Sequence, residues 1–165
     1  MKGGFDNSRR KAFVEQIPQV SIDSPTDRLT TKCKFNFGYF HTDPAGQGFD
    51  QWTEVQLIKL LQKLQDYSRE SLKHWLATPI GKSGTVLSIY GTFPTNTDFS
   101  KPKHVPHQAM WGRFRLESAV RLVGFTLPAD CHGKEHAGTK ERFDCNTFYI
   151  VFLDADHRFY KVEPK

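Results

Sequence analysis

Residues 111–127, WGRFRLESAVRLVGFTL, and residues 146–163, NTFYIVFLDADHRFYKVE, carry the clearest strand patterns of the chain and decide its fold. Within the second segment, residues 147–153 are almost wholly apolar and aromatic. Seven such residues are too few for a typical helix and are rich in types that favour strands. We therefore expect a central strand here that is covered on both faces.

The first segment alternates from its first residue. Trp111, Arg113 and Arg115 point to one side, and Phe114 and Leu116 point to the other. A period of two residues is typical of a half-buried strand. The pattern therefore predicts one apolar face and one face that carries arginines.

A second strand is predicted over residues 121–127, after a turn at residues 117–119. Two strands joined by so short a turn form a β-hairpin. We expect the solvent side of this hairpin to include Arg113, Arg115 and Arg121.

The chain before the hairpin predicts two further strands and a helical region. Residues 32–40 and 85–93 have strand patterns, and a capping box of Thr53 and Gln56 opens an amphipathic helix. Apolar residues recur at helical spacing as far as Leu76, and residues 66–68 interrupt them, so the region can be one helix or two.

These elements predict an α+β domain with one mainly antiparallel sheet and one or two helices packed on one face. We assign this domain to residues 32–165 and an irregular N-terminal arm, with a basic cluster, to residues 1–31. At 165 residues the chain is long enough to bury a core without disulfides.

Composition narrows the function classes. Fourteen Phe, five Tyr and three Trp suit a sheet protein, and the net charge of +5 favours an acidic partner such as nucleic acid. The sequence has no apolar run that could span a bilayer and no signal-peptide pattern at its start, so we predict a cytoplasmic protein with no membrane partner. Three cysteines fit reduced thiols. Glycine-rich nucleotide-binding motifs are absent from the sequence, and we expect no cofactor.

A group of basic and aromatic residues is the first candidate site. Guanidinium groups bind phosphodiesters and stabilise their transition states, while a histidine near neutral pKa moves protons. The opposing interpretation is a solvated basic face paired with nearby carboxylates. The group consists of Arg113, Arg115, Arg121, His157, Arg158, Tyr160 and Lys161.

Four more histidines lie in two long loops. His104 and His107 lie in a proline-rich connection before Trp111, and His132 and His136 lie in a glycine-containing loop. We consider all four as substrate contacts. Two cysteines, Cys131 and Cys145, would complete a zinc set with the last two histidines, but their spacing matches no standard site, and we predict no metal.

In its order of elements, the chain resembles the RelE/ParE-type toxins. The resemblance rests on W-x-R-x-R, then R-L-V-x-F, then an apolar strand ending in D-x-D-H-R-F-Y-K, and it spans about residues 33–161 in topology. Members of this family that cleave RNA act on ribosome-bound messenger RNA. By this resemblance Arg115 and Arg121 would bind phosphate, and His157, Tyr160 or Lys161 would supply acid, base or charge.

The leading functional hypothesis is therefore a toxin-like endoribonuclease that needs no metal. We assign catalysis to His157, Arg115, Arg121 and Tyr160, with RNA contacts from Arg113, Arg158, Lys161, His104, His107, His132 and His136. RNA or the ribosome and an acidic antitoxin would be the partners. Two alternatives remain open: a non-catalytic module that binds nucleic acid or protein through the same basic, aromatic surface, and a small zinc-dependent protein that uses the His-rich loop.

Overall fold

The structure is a computed structural model that describes residues 8–17 and 21–161. Its α-helices are α1 (Ser8–Glu15), α2 (Glu54–Tyr67) and α3 (Leu72–Ala77). Its strands are β1 (Lys34–Asn36), β2 (Leu87–Gly91), β3 (Met110–Glu117), β4 (Val120–Thr126) and β5 (Thr147–Asp154).

The five strands form one mixed sheet in the order β1-β5-β4-β3-β2. Only β1 and β5 pair in parallel, and the other three pairs are antiparallel. This confirms the predicted α+β fold with a mainly antiparallel sheet. The apolar strand β5 lies between two neighbours and is buried along nearly its whole length, as its composition predicts.

The β3–β4 hairpin is also confirmed. Its strands are joined by Ser118 and Ala119, and Arg115 pairs with Arg121 directly across the two strands. Cross-strand partners lie on the same face of a sheet, and residues two apart on one strand do so too. The hairpin therefore brings all three of its arginines to one face.

Helices α2 and α3 cover the opposite face. Thr53 caps α2 through a bond from the Gln56 N–H to its side chain, and the Gln56 side chain accepts from the Thr53 N–H, so the predicted capping box is present. The helical region is divided at residues 68–71. In one apolar cluster, Leu60 and Leu64 of α2 pack with sheet residues of this face such as Phe114 and Leu122.

The predicted alternation holds at residues 113–116, where Phe114 and Leu116 are buried and the two arginines are half-buried. The arginine face as a whole, however, is not the solvent face that the sequence predicts. Trp111 is 1 % exposed and Arg121 is 5 % exposed. The proline-rich connection folds over this face and packs its Phe99, Val105 and Ala109 in a second apolar cluster with Trp111. Alternation within a strand predicts two faces, but it does not reveal a cover that comes from a distant loop.

Strands β1 and β2 are shorter than the sequence predicts. After β1 the chain turns, and the Phe40 N–H donates to the Phe37 carbonyl. The next residue returns to the sheet, because the His41 N–H donates to the Val151 carbonyl on β5. Strand β2 is irregular near Gly91, where the register shifts and φ is +85°. The alternation of residues 32–40 is therefore only partly sheet.

Of the described residues, 8–17 and 21–30 belong to a unit separate from the one that contains the sheet. In that unit, residues Ser8–Glu15 form helix α1 where irregular chain was predicted. Arg, Lys and Ala favour a helix by their intrinsic propensity. The segment has no amphipathic pattern, however, and no residue of α1 is buried, so the signal by which a helix is usually predicted is missing. Predictions that concern residues 1–7, 18–20 and 162–165 lie outside the described residues.

Among residues 8–17 and 21–161, the helices are too short or too polar to cross a membrane.

Gly124 tests how closely the central strands pack. A Cβ at this position would lie 2.1 Å from the backbone oxygen of Tyr149 on β5. We expect Gly124→Ala to lower the free energy of unfolding by about 3 kcal/mol, because neither central strand can move freely. Urea denaturation would measure the change. As control, Gly138→Ala has no neighbour closer than 3.4 Å to the new Cβ and should cost far less; equal losses would contradict the packing described here.

Candidate functional site

Three arginines form a cluster on the covered face of the sheet, at the hairpin end of β3 and β4. Arg113 and Arg115 are two residues apart on β3, and Arg121 is the partner of Arg115 on β4. We call these three residues the arginine cluster. Their proximity follows from the period of the strand and the register of the hairpin.

Each member of the arginine cluster has a buried nitrogen without a hydrogen-bond partner. These nitrogens are Arg113 Nη1, Arg115 Nε and Arg121 Nε. The rest of the Arg121 guanidinium is held in place, since its Nη1 donates to the carbonyls of Glu117, Ser118 and Val120 at 2.6–3.1 Å. Buried donors without partners are costly, so a bound group that accepts from these three nitrogens would remove that cost.

The charge of the cluster is only partly balanced. Among the described residues, none of the ion pairs includes an arginine of the cluster. Burial, together with the charges of Arg113 and Arg115, lowers the pKa of Arg121 to about 10, although Asp154 acts in the opposite direction. Three guanidinium charges therefore face one carboxylate. An anion would satisfy both the unpaired donors and the excess charge.

His157 faces the same cluster. Its backbone is left-handed, with φ at +58°, in the turn that follows β5. Burial lowers its pKa below the ordinary value of 6.5, Arg121 and Arg113 lower it further, and Asp154 opposes them. The imidazole is therefore neutral at pH 7 and can accept a proton. The charges that affect this pKa thus belong to residues of the sheet, and not to the chain neighbours Asp156 and Arg158.

Asp154 builds that turn. Its buried carboxylate accepts hydrogen bonds from the backbone N–H groups of Asp156, Arg158 and Phe159 at 2.9–3.2 Å. It also lies opposite Arg121 in the sheet. One side chain thus shapes the loop that carries His157 and supplies a carboxylate that raises the pKa of Arg121.

We expect Asp154→Asn to destabilise the domain by about 2 kcal/mol, because a neutral amide replaces the buried, charged acceptor of three backbone donors. Chemical denaturation would give the value. Asp156→Asn is the matched control, since Asp156 is exposed and should change stability little. Similar losses for the two variants would show that Asp154 does not hold the turn.

Tyr90 is a site residue that the sequence analysis missed. Its hydroxyl oxygen accepts a hydrogen bond from Arg113 Nε at 3.0 Å. Tyr160 stacks on the Tyr90 ring, with centroids 4.5 Å apart and planes 8° apart. Tyr160 is therefore at the margin of the cluster, and Tyr90 connects it to Arg113. Tyr90 lies beside Arg113 because β2 pairs with β3. The sequence does not specify which strands pair, so it could not indicate this contact.

Arg158 and Lys161 are partnered elsewhere. Both form ion pairs with Asp98, Arg158 through Nε at 3.0 Å. Hydrogen bonds from Lys161 and Arg158 lower the pKa of the Asp98 carboxyl. These ion pairs link the proline-rich connection, which contains Asp98, to the segment that follows β5. Because both charges are paired there, neither residue belongs to the arginine cluster.

The four loop histidines have neighbours other than the arginine cluster. His104 bonds to the Tyr39 carbonyl at 3.2 Å, and His107 is exposed. His132 accepts from the Cys145 N–H at 3.2 Å, and His136 accepts from backbone N–H groups of its own loop. The structure therefore separates these histidines from His157.

Within the part of the chain that the structure describes, no three His, Cys, Asp or Glu side chains are grouped as a metal ion would require. Cys33, Cys131 and Cys145 are all free thiols.

Comparison of the chain with protein-family models, with curated proteins and with solved structures finds no match in any of the three. The resemblance to RelE/ParE-type toxins therefore stays a prediction.

Proposed function

We propose that this protein is a metal-independent endoribonuclease whose arginine cluster binds the phosphodiester that is cleaved. The observation that carries the proposal is the set of three buried guanidinium nitrogens without partners, beside a histidine whose pKa is lowered by burial and by the arginines. Fixed donors at the position where negative charge develops make the largest contribution to many enzymatic accelerations. The sheet and the β3–β4 turn hold these donors rigidly.

The proposed reaction uses the ribose 2′-hydroxyl as nucleophile. Neutral His157 takes the proton of the 2′-hydroxyl as its oxygen attacks phosphorus, and the arginine cluster stabilises the added negative charge. The bond from phosphorus to the 5′ oxygen then breaks. Tyr90, whose oxygen accepts from Arg113 and whose own proton remains available, donates to that oxygen. The products are a 2′,3′-cyclic phosphate and a 5′-hydroxyl.

RNA is the substrate that fits this chemistry, because DNA lacks the nucleophile. The stacked Tyr90 and Tyr160 rings beside the cluster support a strand with unpaired bases, since bases stack on aromatic side chains. The net charge of +5 favours association with RNA. From the resemblance, we further propose ribosome-bound messenger RNA as the setting and an acidic antitoxin as the regulatory partner.

Cleavage of messenger RNA on translating ribosomes, and of the same RNA free in solution, tests this proposal. In the presence of a chelator we expect cleavage in at least one setting, with a 2′,3′-cyclic phosphate at the new end. A single 2′-deoxy substitution at the cleaved nucleotide should abolish it. Binding without cleavage in both settings would contradict the enzyme and favour the non-catalytic binding module.

A further inference from the structure

A second candidate site lies on the same face of the sheet as the arginine cluster. It is a cavity of about 620 Å³ between the proline-rich connection and the loop of residues 127–146. Pockets that bind small organic molecules typically measure about 300–1,000 Å³.

Several aromatic rings form one part of the cavity wall. Phe125 and Tyr149 stack with centroids 4.9 Å apart and planes 11° apart, and Tyr39 stands nearly perpendicular to both. Phe143 lines the cavity from the long loop, with the His136 ring against its edge at 5.5 Å. Such a wall favours a flat, aromatic occupant over an aliphatic chain or an ion.

Polar groups also line this cavity. The side chain of Gln108 offers both a donor and an acceptor, and Asp130 offers an acceptor. His136 Nδ1 accepts from the N–H groups of Gly138 and Thr139 at 3.3 and 3.0 Å. A neutral His136 ring therefore carries its proton on Nε2, which is a further donor. An occupant with a flat ring and a polar edge would match this wall.

The position of the cavity relates it to the arginine cluster. Arg121 and Phe125 lie on the same face of β4, four residues apart, and a strand of this length extends about 14 Å. A short extended oligonucleotide can span that distance. Nucleobases combine a π face with an edge of donors and acceptors, which is the combination the cavity offers.

We propose that this cavity binds a nucleobase. The base can belong to the RNA strand held by the arginine cluster, and this first source rests on the proposed function. It can instead belong to a free nucleoside or nucleotide, and this second source does not depend on the proposed function. Both sources share the same base chemistry, so the cavity can be tested without RNA and without catalysis.

Cys131 provides a local reporter because its half-buried thiol lines the cavity. Its alkylation by iodoacetamide can be followed by mass spectrometry with increasing adenosine, guanosine, cytidine or uridine. Nucleosides carry no phosphate, so the arginine cluster does not contribute to their binding. We expect at least one nucleoside to slow alkylation of Cys131 to a saturating limit.

Three variants locate the effect. Phe143→Ala should weaken nucleoside binding by roughly tenfold, the size of one stacking contribution, and Leu127→Trp should fill the cavity and abolish protection. Phe37→Ala is the matched control, since Phe37 is exposed and lies outside the cavity. Melting curves identify any variant that fails to fold. If Leu127→Trp does not fold, Phe143→Ala alone decides the question.

Saturating protection that Phe143→Ala weakens and Phe37→Ala preserves would support a base site. Absence of protection by all four nucleosides, equal protection by phenylalaninamide, or protection unchanged in Phe143→Ala would overturn it. An RNA oligonucleotide with one abasic position separates the sources. If the abasic oligonucleotide binds the protein more weakly than the intact one, the base in the cavity belongs to the RNA strand. If the two oligonucleotides bind equally and nucleosides still protect Cys131, the cavity binds a free nucleoside. Nucleoside protection in a protein that does not cleave RNA would leave this inference standing.

Discussion

Arg121→Met is expected to lower the single-turnover rate of RNA cleavage by roughly 10²–10³-fold, the usual loss when one fixed donor to a transition-state oxyanion is removed. Arg121 is the most buried member of the arginine cluster, and its Nη1 is fixed by three carbonyls. Its Nε is therefore held in a fixed position and has no hydrogen-bond partner within the protein. Methionine fills similar space without the charge, so the fold should be retained.

Arg69→Met is the control for this experiment. Arg69 is exposed and pairs loosely with Asp66 at 3.8 Å, so its loss should leave the cleavage rate within twofold of the wild type, about the effect of a surface ion pair. Cleavage at the wild-type rate by folded Arg121→Met protein would remove the arginine cluster from the reaction.

His157→Gln is expected to reduce turnover by roughly 10²–10⁴-fold, the range for loss of a general acid or base. Glutamine retains hydrogen bonding but cannot take up the 2′-hydroxyl proton. RNA affinity should change little, because the arginine cluster remains. The control is His74→Gln on the exposed side of α3, which should cleave normally. Equal rates for His157→Gln and wild type would exclude His157 as the base.

The lowered pKa of His157 also predicts two pH dependences. Cleavage should rise with pH through a pKa below 6.5 and be constant near neutrality, since the base acts when neutral. Between the folded pKa and 6.5 the unfolded chain binds more protons at this residue, so acidification through that window lowers the free energy of unfolding. His157→Gln should lose both effects, which rate profiles and melting curves would measure.

The sequence predicts those features that depend on neighbouring residues. The capping box of Thr53 and Gln56 marks the start of α2, and the alternation from Trp111 predicts β3 and the common face of Arg113 and Arg115. The apolar run before Asp154 predicts a covered central strand. In each case a few consecutive residues contain the whole signal.

The features that the sequence does not predict depend on contacts between distant segments. Asp98 neutralises Arg158 and Lys161 from about sixty residues away, and Tyr90 contacts Arg113 only because β2 pairs with β3. The cover over Trp111 comes from a loop without regular structure. No periodic pattern within one segment contains such information, so the basic residues near the end of the chain could not be divided into paired and unpaired groups.

Titration with inorganic phosphate, followed through the Nε–H resonances of arginine side chains, tests the central claim that the arginine cluster binds a phosphate group. At constant ionic strength, the signals of Arg115 and Arg121 should shift and saturate together, because their Nε atoms have no partner in the protein. Arg158 serves as reference, since its Nε already bonds to Asp98. Saturating shifts confined to the cluster are the predicted result. Unmoved cluster signals, or an equal shift at Arg158, would contradict the claim.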